Sequence, residues 1–419
     1  MSLHDRLKFN KGLKKKITNK NRDFFLFKEW LNKGGAKYPD LYFKKYSDSE
    51  RGMHAKKKIT SNTEVMYIPH NLLITDDNSS KYSELMGIDL DNINNSSLIK
   101  IALYILDSIN DNDNHYQPYY NILPDDISHL PIFWNDSTLK LLESSDLIRD
   151  INARKNMLSK EYNKLCEICE LFAREQTLEN WLWARSIVGS RNFSININGI
   201  QKSAMVPLAD MLNHFRPAET RWGYNDSKGG FTMTTLKGIK NGAQIMDSYG
   251  RKSNRKYLLH YGFVMDDNTE SDGSCDDDIL IEIPGMQYSK KVYVTKDDFI
   301  EKLMPTLRLA NRNSNEFDSN PNRSSIISKR NEVAALLSMG NIARNMLIQF
   351  PKTYSQNVLD LKRLKGFSKE RNAINFVKKQ KELLLFMKKL ADDMIPVVAF
   401  QDISNDEIDE KYRDYININ

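Results

Sequence analysis

Apolar residues alternate with polar ones in some stretches of this chain and recur at three- and four-residue spacings in others, and the two patterns are segregated along it. From Met53 to Ile74, β-branched residues alternate around a turn at Thr60 to Thr63, which predicts short antiparallel strands. Ser97–Ile109, Ser137–Ile151 and Ala153–Arg174 carry the helical spacing instead. After Arg185 strand patterns return in SAMVPLAD, GGFTMTTLKGI and GAQIMDSYG, broken by Gly pairs, and they are read to about Val264. A β domain split by a helical insert is therefore predicted. Asp266–Asp278 and Asn311–Ser325 read as exposed loops, because neither buries enough apolar surface to offset the entropy of ordering. Lys329–Leu347 and Glu370–Ala391 again read as helices. Their apolar faces are Leu336, Leu337, Met339, Ile342 and Met346 in the first, and Ile374, Val377, Leu384 with Phe386 or Met387 in the second. The predicted fold class is α+β: a tail over residues 1–22, a β core in two parts (23–75 and 186–265) around a helical insert (76–185), an acidic linker (266–285) and a mostly α-helical domain (286–419).

Composition narrows the class. A chain of 419 residues with 40% apolar and 10% aromatic residues can bury real cores. It has no run near the about 18 apolar residues of a membrane span, and its charged N-terminus does not resemble a signal peptide. A soluble protein of the cytoplasm or nucleus, acting as a monomer without membrane contact, is expected. Three cysteines do not make a disulfide framework, and the pair Cys166 and Cys169 lacks the four ligands of a structural zinc, so no metal is expected. The net charge of +6 resides in the tail: residues 1–22 hold eight Lys or Arg against one Asp, and the remainder sums to −1. A domain-wide nucleic-acid groove is not indicated, which leaves only the tail, around Lys14 to Lys16, as a nucleic-acid contact.

Candidate chemistry gathers where strand patterns are interrupted by polar groups: SERGMHA near Arg51, VPLADMLNHF around Asn213, and IMDSYGRKSNRKYLLHYGF around Tyr249. By pattern alone, Asp210, Asn213 and His214 read as polar caps at the end of an apolar strand. Their order and spacing add more. Asp210-Met211-Leu212-Asn213-His214, Tyr249-Gly250 with Ser253-Asn254, and Tyr261-Gly262-Phe263 resemble the SET-domain methyltransferases of the Rubisco lysine methyltransferase branch. Tyr116-Gln117-Pro118-Tyr119, Leu123-Pro124 and Ser190-Arg191-Asn192-Phe193-Ser194 support the resemblance, which covers roughly residues 25 to 400.

The resemblance implies S-adenosyl-L-methionine as cofactor and a protein as substrate. It places the backbone around Ser49, Arg51 and Met53, with Arg191, Asn213 and His214, in the cofactor pocket, His214 through its main chain. Tyr249 matches the catalytic tyrosine and also borders the cofactor. Ser190, Phe193, Asp210, Tyr224 and Tyr261 fall to the substrate side, with the three aromatics as walls of a lysine channel. The family's Gly-x-Gly reads Glu50-Arg51-Gly52 here, so Glu50 stands where Gly would adopt the backbone at less cost. The expected activity is protein-lysine N-methylation. Histidine methylation of the actin-modifying type is the alternative. Phe193 speaks against it, since the histidine-specific relatives carry an Asn there to bond the imidazole, and an apolar ring cannot. A non-catalytic SET-like scaffold is the third reading.

Overall fold

The computed structural model describes residues 20–46, 50–82, 96–283, 290–316 and 325–418. The chain forms two units: residues 1–128 with 152–251, and residues 129–151 with 252–419.

In the first unit, α1 (Lys20–Lys33) begins within the last three residues of the basic tail, the rest of which lies outside the described residues. Strands β1 (Leu41–Lys45), β2 (Arg51–Ala55), β3 (Glu64–Pro69) and β4 (Ile74–Thr75) come next. The insert supplies α2 (Ser96–Ser108), α3 (Leu147–Ile168, of which the part after Ile151 belongs here) and α4 (Leu178–Arg191). Strands then resume as β5 (Asn192–Ile197), β6 (Ile200–Met205), β7 (Asn213–His214), β8 (Thr220–Asn225), β9 (Gly230–Thr235) and β10 (Gln244–Asp247). They assemble into three small sheets, ordered β1-β2-β10-β7, β3-β9-β8 and β4-β6-β5, so each sheet joins strands from both sides of the insert.

α4 was not legible as a helix in the sequence. It buries every residue from Asn180 to Val188, so it shows no polar face for a period to reveal. Its one buried charge, Arg185, is held by both carboxylate oxygens of Glu161 on α3, at 2.9 and 3.2 Å. Thr177 caps the N-terminus by accepting the Asn180 N–H.

In the second unit, strand structure does not run on to Val264: residues 254–261 form α5 (Asn254–Tyr261), ended by Gly262 at φ +77°. A side chain there would strike His129, which makes this glycine a fitted helix stop. The acidic stretch is also more ordered than its charge predicts, since buried Asp277 accepts the Asn254 backbone N–H and the amides of Asn254 and Asn268, each at 2.8 Å. Three amide donors offset the burial of one carboxylate. The hairpin β11 (Asp278–Ile283) and β12 (Lys290–Thr295) follows, then α6 (Met304–Ala310), α7 (Lys329–Gln349), α8 (Tyr354–Arg363), α9 (Lys369–Phe400) and α10 (Asn405–Ile418). Leu336, Met339, Leu384 and Met387 lie in the core as their spacing predicts, whereas Leu337 is 45% exposed. Fully buried Glu332 of α7 accepts two bonds from Arg308 and one from the Tyr412 hydroxyl. No described helix is long and apolar enough to cross a membrane.

Candidate functional site

The central sheet of the first unit brings together segments that are remote in sequence. β10 pairs antiparallel with β2, placing Ile245 beside Met53, and parallel with β7, placing Met246 beside Asn213 and Asp247 beside His214. The Asn213 amide donates to the Arg51 carbonyl at 2.9 Å and so ties β7 to β2. Met53 is fully buried between Phe43 and Ile245. Gly52 has a local reason to be glycine: a Cβ would sit 2.4 Å from the Gln244 amide nitrogen and 2.7 Å from the Tyr46 hydroxyl. Ser49 lies outside the described residues. Glu50 accepts the Tyr46 N–H at 2.9 Å through its carbonyl, closing the base of the β1–β2 hairpin.

Leu208, fully buried at φ +77°, turns the chain sharply between β6 and the Asp210–His214 segment. A non-glycine residue in that conformation is strained by about 1 to 3 kcal/mol, and it persists where the surroundings over-determine it. What the turn positions is Asp210. Its side chain is completely buried and accepts the Tyr119 hydroxyl at 2.8 Å and Arg191 Nη1 at 3.1 Å. Arg191 also bonds the Asp210 carbonyl, and Arg51 donates to the Ile122 carbonyl at 3.1 Å. Burial, with the like charge of Arg191 next, holds the Arg51 guanidinium down at about 10. Burial and the Asp210 carboxylate push the Tyr119 phenol well above its ordinary range, so it stays a neutral donor. The cluster thus sets two guanidiniums against one carboxylate, and among the described residues both Arg191 Nε and Asp210 Oδ1 are buried without a hydrogen-bond partner. A surplus cation with an unused, buried N–H is suited to an incoming carboxylate. Tyr119 belongs to the Tyr116–Tyr119 motif, and its bond to Asp210 gives it a role in the cluster.

Tyr249 is fixed from both ends. Its backbone N–H donates to His214 Nδ1 at 3.0 Å, its hydroxyl donates to the Leu212 carbonyl at 2.8 Å, and its ring stacks on the His214 imidazole with centroids 5.1 Å apart. His214 Nδ1 is therefore an acceptor, and the imidazole works as a brace for Tyr249 as well as through its strand backbone. With its proton committed to Leu212, the phenol oxygen presents itself as an acceptor.

The residues expected on the substrate side divide between the two units, and each has its own contacts within its unit. Ser190 turns its hydroxyl back onto its own helix, bonding the Ser186 carbonyl at 2.8 Å. Phe193 is buried edge-on to Trp222 and Phe231, with centroids 5.0 and 5.2 Å away, as a packed aromatic of the sheet. Tyr224 follows Trp222 by two residues on the same side of β8, and its hydroxyl meets the His70 ring at 3.2 Å. Tyr261 belongs to the second unit, on α5, where it packs with Tyr257 and Phe263 under the Lys252 ammonium. Trp222, which touches Phe193 directly, was missed by the sequence reading.

Comparison with known proteins fits this geometry. A family profile described as SET domain matches residues 50–250, and one described as Rubisco LSMT substrate-binding matches residues 279–384. The chain thus matches a SET domain followed by a Rubisco LSMT substrate-binding domain. It is 25% identical over 308 residues to the actin-histidine N-methyltransferase of Rhinolophus ferrumequinum, and 24% identical to that of Homo sapiens. Each match covers 70% of this chain and 50% of the relative, so the SET chain spans about half the length of these curated relatives. The SET domain of LSMT bound to lysine and AdoHcy superposes with a TM-score of 0.72 at 18% identity, over 94% of this chain and all of that one. Rubisco LSMT bound to sinefungin and monomethyllysine gives 0.70 at 18% identity, over 93% and 96%. These likenesses establish the fold.

Proposed function

We propose that this chain is an S-adenosylmethionine-dependent protein methyltransferase whose acceptor is a lysine of a cytoplasmic or nuclear protein. The observation that carries the reading is the buried Arg51–Arg191–Asp210–Tyr119 cluster beside a doubly anchored Tyr249. Its surplus positive charge and unused Arg191 Nε fit the carboxylate of the cofactor's methionine portion, and Asn213, bonded to the Arg51 carbonyl, ties the strand of His214 to the same cluster. When bound, the cofactor supplies a sulfonium methyl for in-line displacement by a neutral amine. The protein's own work is to orient that amine and keep it deprotonated. A lysine of pKa about 10.4 costs about 4 to 5 kcal/mol to deprotonate at pH 7, and desolvation in a closed site lowers that cost. The Tyr249 oxygen, held as an acceptor by its bond to Leu212, can take an N–H of the amine and so aim the lone pair.

Lysine is favoured because Phe193 stands at the position where the resemblance sets the acceptor, and an apolar ring there offers an imidazole no hydrogen bond. Histidine is the second reading, supported by the relatives that carry the name actin-histidine N-methyltransferase. Mass spectrometry of cell lysate incubated with the protein and methyl-labelled cofactor decides between them: label on lysine Nε supports the proposal, and label on imidazole transfers it to the second reading. Calorimetry with S-adenosylhomocysteine tests the scaffold alternative. A ligand at 100 times its Kd stabilises by about 2.7 kcal/mol, so absence of heat and of any thermal shift would overturn both enzyme readings.

A further inference from the structure

Asp247 ends β10, two residues before Tyr249, and is 2% exposed. A carboxylate so buried ordinarily has a cation beside it, yet among the described residues the groups that act on Asp247 are Ser248, Thr220 and Trp222. Its surroundings are neutral. The Thr220 hydroxyl of β8 shares its proton between Oδ1 at 3.3 Å and the Met246 carbonyl at 3.0 Å, the Ser248 backbone N–H donates to the carboxylate, and the Trp222 indole N–H faces it. From β7 its register partner is His214. Thr220, Trp222 and Tyr224 are alternate residues of one strand and share a face, so the carboxylate meets the row whose middle ring packs edge-on against Phe193.

We propose that Asp247 is a positioning residue for the acceptor side of the site: by holding Thr220 and Trp222 of β8 to the end of β10, it sets the aromatic surface that Trp222 shares with Phe193. It then governs affinity for the protein acceptor and leaves cofactor affinity alone. The inference rests on the methyltransferase reading for its kinetic consequence, and on the contacts themselves for the rest. Burial raises the carboxyl to about 6, with Ser248, Thr220 and Trp222 opposing, so the contact changes its charge across an accessible pH range.

The test uses the full chain and the variants Asp247→Asn, which keeps an acceptor but not the charge, Asp247→Leu, which keeps neither, and Trp222→Phe. The fluorescence of Trp222, taken as the difference between wild type and Trp222→Phe, should show one transition near pH 6 that Asp247→Asn lacks. A transition surviving in Asp247→Asn would belong to another group and overturn the proposal. In the second arm, labelled-methyl incorporation is followed against lysate protein concentration, and S-adenosylhomocysteine binding is measured by calorimetry. Asp247→Leu should raise the half-saturating lysate concentration at least fivefold, with the Kd for S-adenosylhomocysteine within twofold of wild type, and Asp247→Asn should recover most of that loss at pH 8. Both constants moving together, or neither moving, would overturn it. If wild type neither transfers methyl nor binds S-adenosylhomocysteine, the functional reading fails and the positioning role falls with it, while the fluorescence transition still reports the Asp247–Trp222 contact.

Discussion

Replacing Asp210 with Asn removes the one anion among the described residues that acts on both Arg51 and Arg191, while keeping a side-chain oxygen for the Tyr119 hydroxyl, so the change isolates charge from shape. Breaking a buried ion pair by neutralising one partner costs about 3 to 5 kcal/mol, because the other charge is left without compensation. The lower end applies here, since the Arg191 side chain keeps 19% of its surface and water screens part of its charge. About 3 kcal/mol corresponds to a fall in Tm of roughly 6 to 12 °C for a unit of this size. Differential scanning calorimetry with and without S-adenosylhomocysteine reads it. The variant should melt lower by that amount and still be stabilised by ligand, because losing Asp210 makes the cluster more positive toward the ligand carboxylate. Adding Arg191→Gln should recover part of the stability, a non-additivity expected only of directly coupled groups. A Tm within 2 °C of wild type, or strict additivity in the double variant, would refute the charge argument.

What the sequence disclosed follows from how each element is exposed. α7 and α9 carry an apolar stripe beside a charged face, so spacing alone located them, although Leu337 lies outside the buried stripe. α4 is buried all round and gave no period. α5 was read as continuing strand, yet its stop was written in Gly262, whose left-handed conformation ends the helix. The acidic stretch reads as a loop from its scarcity of apolar residues, which cannot show that Asn254 and Asn268 converge on Asp277. The site's coupling of Arg51, Asp210 and Tyr119 spans segments more than 60 residues apart, and no local pattern encodes it. Family likeness pointed to Arg191, Asn213 and Tyr249. It did not point to Trp222 or Asp247, because one carboxylate in a short strand looks like any polar edge residue until the neighbouring strand is in place.

Further consequences can be measured independently. Tyr249→Phe should lower kcat at least tenfold and leave the Kd for S-adenosylhomocysteine within twofold, since the hydroxyl acts on the geometry of the reacting amine; an unchanged kcat would move that role elsewhere. Gly52→Ala should cost about 1 to 3 kcal/mol in a urea titration, because the new methyl must displace Gln244 and Tyr46. In the second unit, Glu332→Gln should cost about 3 to 5 kcal/mol by stranding buried Arg308, with α10 becoming the first segment cut in limited proteolysis as Tyr412 loses its charged acceptor. The last concerns pH and Asp247, whose carboxyl is raised from 3.8 to about 6 by burial. The folded chain then binds this proton more tightly than the unfolded one. Its contribution to stability is fully present below about pH 4 and is lost as pH rises through about 6, amounting to about 3 kcal/mol at 1.36 kcal/mol per unit. Asp247→Asn has no proton to lose, so its stability relative to wild type should grow from pH 4.5 to 6.5 and level off above that. Urea titrations of both proteins across this range give the difference directly. A difference independent of pH would show that Asp247 ionises at an ordinary pKa, and one that grew toward acid would show that a cation holds the carboxylate in its charged form, contrary to the neutral surroundings of Thr220, Ser248 and Trp222.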